Sequence, residues 1–315
     1  MCTAIKHGGF AGRNLDVYKS YGEEVIIAPR KYTLPLRKEE NIAEHYAIIG
    51  MGAVVRGYPL YFDAANECGL YVAGLNYIGN AKYHAPKDGK INLTPYELIP
   101  YLLSRCAGAS EAKALLSNVN LIDIPFSRDI PCAELHWIVA DKDITYTVEP
   151  DADGLNVYDN PIGVLTNNPS FPYQLFGLNS YSSISPTSPD NLFAPELPLK
   201  IYSEGMGGIG LPGDLSSMSR FVRASFHKSH SRSKDSLYDI FHLLSSVEMP
   251  DGSVKVGESY ERTEYTTAVS FSTPTYYYRH YDALGISAVR LFSENLDTPS
   301  LIRYPTTNSA PTYIN

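Results

Sequence analysis

Residues 1–16 read MCTAIKHGGFAGRNLD, and the interpretation of the whole chain starts from them. Residues 3–6 have the pattern of a strand. Cysteine is small, so we expect Met1 to be removed and Cys2 to become the first residue. A terminal cysteine carries a thiol and a free α-amine, whose ordinary pKa values are about 8.5 and about 7.7–8.0. The amine can take the thiol proton and later return it to a leaving amine, as a base beside a nucleophile does.

Arg13 and Asp16 place a fixed cation and a carboxylate three residues apart, soon after this strand. Arg13 is suited to favour the thiolate of Cys2, and Asp16 to orient the terminal amine. Taken alone, Cys2 could be incidental and the charged pair could be a surface salt bridge, which contributes little.

The composition excludes several functional classes. The chain has 315 residues, 34 acidic and 26 basic, so its formal net charge is −8. This negative balance argues against a general nucleic-acid binder, which needs a basic face. No apolar run approaches the ~18–20 residues of a membrane span, and no charged leader precedes an apolar block. We therefore expect a cytoplasmic protein that binds neither nucleic acid nor membranes.

The cysteines and the absence of linkers bear on the organisation of the chain. Cys2, Cys68, Cys106 and Cys132 are scattered and form no C-x-x-C pair. In so large a chain this pattern predicts reduced, buried thiols rather than a disulfide framework. No linker divides the sequence, so we expect a single domain over residues 1–315.

Blocks of strand pattern are separated by blocks of helix pattern. The predicted strands are residues 3–6, 24–28, 45–49, 70–75, 134–140, 144–148, 264–271, 275–281 and 286–292. The predicted helices are residues 95–107, 110–117, 169–178, 214–228 and 235–247. Thr94 and Glu97 form a capping box for the first helix, and Asp214 is expected to cap the fourth. This order predicts layered sheets with helices outside rather than alternating βαβ units.

Two apparent motifs do not support a cofactor or a metal. Residues 205–210 fit G-x-G-x-x-G, but Pro212 follows at once and would break the helix that a dinucleotide site needs. His227 and His230 lack a third ligand for a metal ion. The Ser- and Pro-rich loop over residues 180–198 is long enough to be functional or to contact a partner.

Several segments, in the right order, resemble the choloylglycine hydrolase family. They are residues 1–3 (MCT), 12–16 (GRNLD), 74–77 (GLNY), 165–169 (LTNNP), 211–214 (LPGD) and 219–221 (SRF). This family of N-terminal-nucleophile hydrolases includes bile salt hydrolases and penicillin V acylases. The resemblance, which runs from residue 1 to about residue 300, implies an α+β fold with an αββα sandwich of two antiparallel sheets between helical layers. It also implies amide cleavage without metal or cofactor, commonly in a homotetramer.

The resemblance assigns six residues to the catalytic site: Cys2, Arg13, Asp16, Asn76, Asn167 and Arg220. Cys2 is implied to be the nucleophile, and Arg13 and Asp16 are implied to adjust its reactivity. Asn167 is implied to be an oxyanion-hole donor, and Asn76 to add its backbone N–H to the same hole. One such donor in a dry site contributes roughly 2.7–4 kcal/mol. Arg220 is implied to complete the charge network near Cys2.

Each of these assignments has a plainer alternative. Asn167 could be a turn residue before Pro169, and Arg220 could be a cation on a helix surface.

No propeptide separates Met1 from Cys2, so we expect activation to need only the removal of Met1.

The residues of the resemblance also bear on the substrate. Bile salt hydrolases typically carry Asn where this chain has Asn76, whereas penicillin V acylases carry Tyr. This favours conjugated bile salts, in which a steroid acid is joined to glycine or taurine. A steroid needs an apolar trough with few polar anchors, for which the sequence suggests Leu15, Phe126, Ile130 and Leu135. Leu135 could equally be ordinary strand core.

Three hypotheses follow. The first is a bile salt hydrolase, and the second is a penicillin V acylase or another N-acyl amidase of the same chemical class. The third is a non-catalytic binder of amphipathic steroids that keeps the fold. The presence of all six site residues argues against the third.

Overall fold

Antiparallel strands dominate the computed structural model, which describes residues 1–233 and 235–307. The strands are β1 (Cys2–His7), β2 (Phe10–Val17), β3 (Glu24–Ala28), β4 (Ile48–Val55), β5 (Tyr58–Asn66), β6 (Tyr71–Asn76), β7 (Ile91–Leu93), β8 (Val119–Leu121), β9 (Leu135–Ala140), β10 (Thr145–Asp151), β11 (Gly154–Asp159), β12 (Val164–Leu165), β13 (Val254–Val256), β14 (Ser259–Ser270), β15 (Thr275–His280), β16 (Ser287–Arg290) and β17 (Ile302–Pro305). The helices are α1 (Leu98–Arg105), α2 (Ala109–Leu116), α3 (Phe171–Gly177), α4 (Ser217–His230) and α5 (Leu237–Ser245).

Two large sheets contain most of these strands. The first sheet has the order β12-β1-β2-β14-β15-β16, and β13 pairs with β14. The second sheet has the order β11-β10-β9-β6-β5-β4-β3-β17. Helices α4 and α5 pack on the first sheet, whereas α1 and α2 pack on the second. The layers therefore run helix, sheet, sheet, helix, and the predicted αββα sandwich is confirmed.

The apolar core has two parts. The inter-sheet core fills the space between the two sheets and continues under α4 and α5; it includes Cys2, Ile5 and Ile138. The outer core lies between the second sheet and α1 and α2, and includes Trp137. Because side chains alternate along a strand, neighbours on β9 belong to different cores.

A glycine permits the close approach of the central strands of the first sheet. Gly12 of β2 lies opposite Ala268 of β14. A Cβ atom at Gly12 would lie 2.0 Å from the carbonyl oxygen of Thr267. No larger residue fits there without moving the β14 backbone, so the sequence GRNLD can run as a strand through the middle of this sheet.

Several predicted boundaries are wrong at helix starts. Asp214 is not the cap of α4, because Ser216 occupies the N-cap position. The Asp214 carboxylate instead accepts hydrogen bonds from the Ser216 N–H at 2.9 Å and the Ser219 hydroxyl at 2.6 Å. Likewise α5 is capped by Ser236, while Asp235 accepts a hydrogen bond from the Gly9 N–H at 2.8 Å. In both places a carboxylate near the helix start binds other groups.

The capping box before α1 is confirmed. Glu97 accepts a hydrogen bond from the Thr94 N–H at 2.8 Å, and the chain enters α1 through a short 3₁₀ turn over Pro95–Glu97. The G-x-G-x-x-G run lies in a loop, with a 3₁₀ turn at Met206–Gly208 and neither a strand before it nor a helix directly after it. No helix among residues 1–233 and 235–307 has the length and apolar character needed to cross a bilayer.

Candidate active site

Cys2 lies at the start of β1, directly opposite Leu15 of β2. It is 2% exposed. Ala4 pairs with Arg13 in the same ladder. Strand alternation therefore turns the side chains of Cys2, Leu15 and Arg13 toward the space between the two sheets. Asp16 alternates to the opposite face of β2, which lies under the helices. Charged side chains therefore lie near Cys2 on both faces of the β1–β2 pair, Arg13 on the inner face and Asp16 on the outer face.

On the inner face, the guanidinium of Arg13 contacts the thiol. Its Nη2 donates to Cys2 Sγ at 2.5 Å, and its Nη1 donates to the carbonyl oxygens of Phe62 at 3.1 Å and Gly74 at 2.6 Å. Strands β5 and β6 pair only between Asp63–Ala65 and Tyr71–Ala73. Phe62 and Gly74 lie just beyond this paired segment, where the strands separate. Arg13 thus fills the opening between two strands of the second sheet while holding the sulfur of a residue in the first.

A buried carboxylate, which the sequence analysis did not identify, balances this cation. Asp63 is fully buried. It accepts hydrogen bonds from the hydroxyls of Tyr276 at 2.6 Å and Thr267 at 3.1 Å. Burial raises the pKa of Asp63, and Arg13 opposes that shift. For Arg13, burial alone would lower the pKa of the guanidinium, but the charge interactions with Cys2, Tyr265, Asp63 and Tyr71 together raise it.

On the outer face, Arg220 of α4 holds the backbone of Cys2. Its Nη1 donates to the Cys2 carbonyl oxygen and to Thr3 Oγ1, each at 2.5 Å, and lies 3.7 Å from Asp16 Oδ2. The side chains of Arg220 and Asp16 are both fully buried. The alternative that Arg220 is a surface cation is therefore wrong.

Of the two carboxylate oxygens of Asp16, one accepts a hydrogen bond and the other does not. Its Oδ1 accepts a hydrogen bond from Thr263 Oγ1 at 2.7 Å, whereas its Oδ2 has no hydrogen-bond partner among the described residues. Burial raises the pKa of Asp16, and the positive charge of Arg220 opposes this. A buried carboxylate oxygen that accepts no hydrogen bond is costly unless another group donates one.

Asn167 connects Cys2 to the end of β6. Its Oδ1 accepts hydrogen bonds from the Cys2 N–H at 2.9 Å and from Arg220 Nη2 at 2.7 Å. Because Oδ1 faces two donors, the amide orientation is determined, and Nδ2 donates to the Asn76 carbonyl oxygen at 2.7 Å. The second hydrogen of Nδ2 remains available for another acceptor.

The peptide N–H of Asn76 is directed by the strand register. The hydrogen bond from the Tyr77 N–H to the Glu134 carbonyl oxygen shows that the odd-numbered residues of this segment bond to β9. Gly74 and Asn76 are the even-numbered residues that alternate with them. In an antiparallel ladder, the intervening residues turn their peptide groups the other way. Gly74 and Asn76 therefore direct their peptide N–H and C=O groups toward the opening between β5 and β6 that Arg13 enters.

Met1 lies in the position of one more strand residue. Its amine donates to the Asp16 carbonyl oxygen at 2.5 Å and to Glu261 Oε2 at 2.8 Å. Its carbonyl oxygen accepts from the Asp16 N–H at 2.9 Å. The nitrogen of Cys2 is an amide in this form, so it cannot serve as a base.

The four proposed substrate contacts lie on different elements, and their contact with substrate stays a prediction. Leu15 lies opposite Cys2 on the same face of β2. Phe126 packs against the rings of Tyr58 and Tyr96, with centroids 5.7 and 5.3 Å away. Leu135 packs against the outer core, so it points away from the space that contains Cys2, in agreement with the alternative of ordinary strand core. Ile130 is half-buried in the loop between β8 and β9.

The arrangement is suited to acyl transfer. A thiol is fixed beside a guanidinium, and amide donors lie within the same buried cluster, which is the combination needed to attack a carbonyl and stabilise the resulting oxyanion. Among the described residues no cluster of three His, Cys, Asp or Glu side chains is placed to hold a metal ion.

Comparison with known proteins agrees with this chemistry. Residues 2–304 match the model of the linear amide C–N hydrolases, choloylglycine hydrolase family. The chain belongs to that family. Both the predicted family and the predicted class of enzyme, a hydrolase of linear amides, are confirmed. The choloylglycine hydrolase chain is 49% identical to a bile salt hydrolase/transferase of Lactiplantibacillus plantarum, over 99% of each chain.

Two further proteins extend the similarity. A conjugated bile acid hydrolase of Lactobacillus gasseri is 38% identical over 96% of this chain and 100% of its own. The crystal structure of the C2A variant of the conjugated bile acid hydrolase from Clostridium perfringens superposes with a TM-score of 0.94 at 31% identity, over the full length of both chains. This choloylglycine hydrolase therefore matches full-length relatives in both sequence and fold.

The contact between Arg13 and the Cys2 sulfur predicts a difference in thiol reactivity. We expect Arg13→Lys to slow alkylation of Cys2 by iodoacetamide at least about tenfold, since a hydrogen bond to a charged group contributes about 1.5–3 kcal/mol and an ammonium cannot reproduce the guanidinium fork. Peptide mapping by mass spectrometry would give the rate for each cysteine. Cys68 is exposed, so the prediction that it is buried is wrong. It serves as an internal reference and should react as in the parent protein.

Arg303→Lys is the matched control, because Arg303 forms a forked pair with Glu24 that lies outside this cluster and does not adjoin Cys68 in the sequence. An unchanged ratio of Cys2 to Cys68 labelling in Arg13→Lys would contradict the role given to Arg13.

Proposed function

We propose that this chain is a bile salt hydrolase, which cleaves the amide bond between a bile acid and glycine or taurine with Cys2 as nucleophile. The observation that carries the proposal is the Cys2 cluster: Arg13 at the sulfur, Arg220 at the carbonyl and Asn167 at the nitrogen. The relatives named for bile salts support the choice of substrate.

Removal of Met1 converts the Cys2 nitrogen into an amine. Asp16 Oδ2 lies 3.7 Å from Arg220 Nη1 but accepts no hydrogen bond from the described residues of the unprocessed chain, and we infer that the new amine supplies one. Asn167 Oδ1 already accepts from the same nitrogen at 2.9 Å. These two oxygens would orient the amine, which takes the thiol proton as the sulfur attacks the substrate carbonyl carbon.

Attack forms a C–S bond and moves the carbonyl π electrons to oxygen. We infer that Asn167 Nδ2 and the Asn76 N–H stabilise this oxyanion. Collapse expels glycine or taurine, whose nitrogen takes the proton held by the Cys2 ammonium, and leaves a thioester. Water then attacks the thioester with the amine again as base, and releases the bile acid. The proposed mechanism uses no metal or cofactor.

A transfer reaction follows from the same intermediate. If an amine rather than water attacks the thioester, the product is a new amide; the name of the Lactiplantibacillus plantarum relative includes a transferase activity. Penicillin V hydrolysis remains the alternative substrate class, and Asn76 argues for bile salts. A non-catalytic steroid binder would not need the buried charges of Arg13, Asp63, Asp16 and Arg220 around one thiol.

Two measurements on one preparation test the function. We expect intact mass spectrometry to show a mature chain that begins at Cys2, and this material to release glycine and taurine from conjugated bile salts far faster than it releases phenoxyacetate from penicillin V. Cys2→Ser should lose amide hydrolysis by orders of magnitude and keep the fold, because a hydroxyl is a much poorer nucleophile near neutral pH.

Cys106→Ala is the matched control, since burial raises the pKa of that thiol to about 12 and no proposed step involves it. Faster cleavage of penicillin V would favour the acylase, and full activity in a preparation that retains Met1 throughout would contradict the mechanism.

The proposed oxyanion hole predicts a specific kinetic defect. Asn167→Ala should lower kcat about 10²–10³-fold, as the loss of one oxyanion donor does, with a smaller change in KM because the donor acts mainly in the transition state. The neighbouring Asn168→Ala is the control; its amide donates to the Ile78 carbonyl oxygen at 2.7 Å. If melting curves show that unfolding explains the whole loss in Asn167→Ala, Asn167 is a structural residue.

We also propose that the chain forms a homo-oligomer, by analogy a tetramer, in the reducing cytoplasm that suits its free thiols. Apolar side chains project from the loop before α4: Leu192, Phe193 and Tyr202 are 86, 91 and 82% exposed. A run of this kind is typical of an interface between copies.

Light scattering should give a mass above the 34.8 kDa of one chain. The double variant Leu192→Ser, Phe193→Ser should shift the mass toward the monomer. Leu284→Ser, in an exposed turn elsewhere, should not. A parent protein that is already monomeric at working concentration would refute the assembly.

A further inference from the structure

A buried histidine and a buried glutamate lie next to the segments that carry Asn76 and Asn167. His136 of β9 and Glu149 of β10 have fully buried side chains, and His136 Nδ1 lies 3.0 Å from Glu149 Oε1. The two oxygens of Glu149 also accept the N–H of Phe171 at 2.9 and 3.1 Å. Such an arrangement suits a carboxylate, to which His136 donates through Nδ1.

The other nitrogen of the ring holds the peptide that leads into Asn167. His136 Nε2 lies 2.9 Å from the carbonyl oxygen of Thr166, which can only accept, so this nitrogen also donates. On the other side of the same peptide, the Asn167 N–H donates to Ser217 Oγ at 2.8 Å. The peptide is thus fixed at both its oxygen and its nitrogen.

The same imidazole also contacts the residue that follows Asn76. The ring of Tyr77 stacks on His136 with centroids 4.5 Å apart and an angle of 6° between the planes. Tyr77 is 1% exposed, and its N–H donates to the Glu134 carbonyl oxygen at 2.8 Å. His136 therefore lies between the neighbours of both proposed oxyanion donors, and it bonds to one and stacks on the other.

Glu149 closes the arrangement from the far end. Phe171 is the first residue of α3, and the turn between Thr166 and Phe171 carries Asn167. One end of this turn is bound by His136 and the other by Glu149. The pair is thus placed between the turn and the end of β6, where a change in it would alter the separation of Asn167 Nδ2 from the Asn76 N–H.

We propose that His136 and Glu149 are positioning residues that set the geometry of the oxyanion hole. The proposal rests on the function proposed above, because it assumes that these two amide groups stabilise the oxyanion. Neither side chain hydrogen-bonds to Cys2 or Arg13 in the contacts described above, so the pair should act on the carbonyl oxygen of the substrate and leave the nucleophile unaffected.

Two substitutions of His136 separate its two bonds. In His136→Gln, the side-chain amide nitrogen can take the place of Nε2 and keep the hydrogen bond to Thr166. In His136→Asn, the shorter side chain can place its amide nitrogen only at Nδ1 and keep only the hydrogen bond to Glu149. We expect His136→Asn to lower kcat about 10²-fold, the scale of a misplacement of about 1 Å, with KM changed less than about threefold. His136→Gln should retain about tenfold more kcat than His136→Asn. The rate of Cys2 alkylation by iodoacetamide should stay within about twofold in both variants, because alkylation forms no oxyanion.

His45→Gln is the matched control. Its ring is also buried, with its nitrogens 2.6 and 2.7 Å from the carbonyl oxygens of Tyr46 and Tyr32, but it touches neither Asn76 nor Asn167 in these contacts. We expect this variant to keep the parent kcat. Melting curves accompany every variant, and Glu149→Gln, which conserves shape and removes the charge, provides the test if His136→Asn does not fold.

The outcomes distinguish this proposal from the function itself. All ratios are taken on an amide that the parent enzyme hydrolyses, so a parent active only on penicillin V would refute the bile salt substrate and still test the positioning. Equal kcat in His136→Asn, His136→Gln and the parent would overturn the proposal, as would folded Glu149→Gln with parent kcat. A parallel fall in hydrolysis and Cys2 alkylation would overturn it too, because that result indicates a general structural role.

Discussion

The insertion of the Arg13 guanidinium between β5 and β6 is the constraint on which the site depends. The cation belongs to one sheet, and the carbonyl oxygens it binds belong to the other. It lies in an interior that water does not solvate, so it must be matched there by acceptors and by the carboxylate of Asp63. The space between the sheets is therefore not a uniform apolar core. It contains a polar cluster whose outermost member is the sulfur of Cys2.

The alternation of side chains along β1 and β2 then separates two tasks. The thiol faces inward to Arg13, while the nitrogen and carbonyl of the same residue are held by Asn167 and by Arg220 of α4. A single residue can carry both a nucleophile and its base only if each is held independently. The sandwich permits this because β1 has a sheet on one side and helices on the other.

Sequence reasoning identified the parts of the site that lie in short, continuous motifs. Residues 12–16 and the Asn167 segment are of this kind, and they also identified the family and so the fold. It did not find Asp63, His136 or Glu149, whose significance arises only from pairing between distant strands. A signal existed in each case: a charged residue or histidine within an apolar strand is expected to have a partner. The partner itself, however, is set by register, which one sequence does not reveal.

The same limitation explains the errors. The expected substrate contact of Leu135 stays a prediction, because a step of one residue along β9 changes the core that a side chain enters. Asp214 and Asp235 were predicted at helix starts from their residue type. The structure uses Ser216 and Ser236 as caps and leaves the carboxylates to bind other groups nearby.

The pairing of Met1 with Asp16 has a consequence for the timing of maturation. In the folded chain the Met1 amine is bound by a backbone carbonyl and by Glu261, and its residue extends the β1–β2 ladder by one rung. An aminopeptidase needs an accessible terminus, so the removal of Met1 proposed above would compete with the closure of this ladder. The competition would be between two rates, that of methionine removal from the nascent chain and that of folding. A chain that folds first would keep Met1, and rapid synthesis would raise its share even though every molecule has the same sequence.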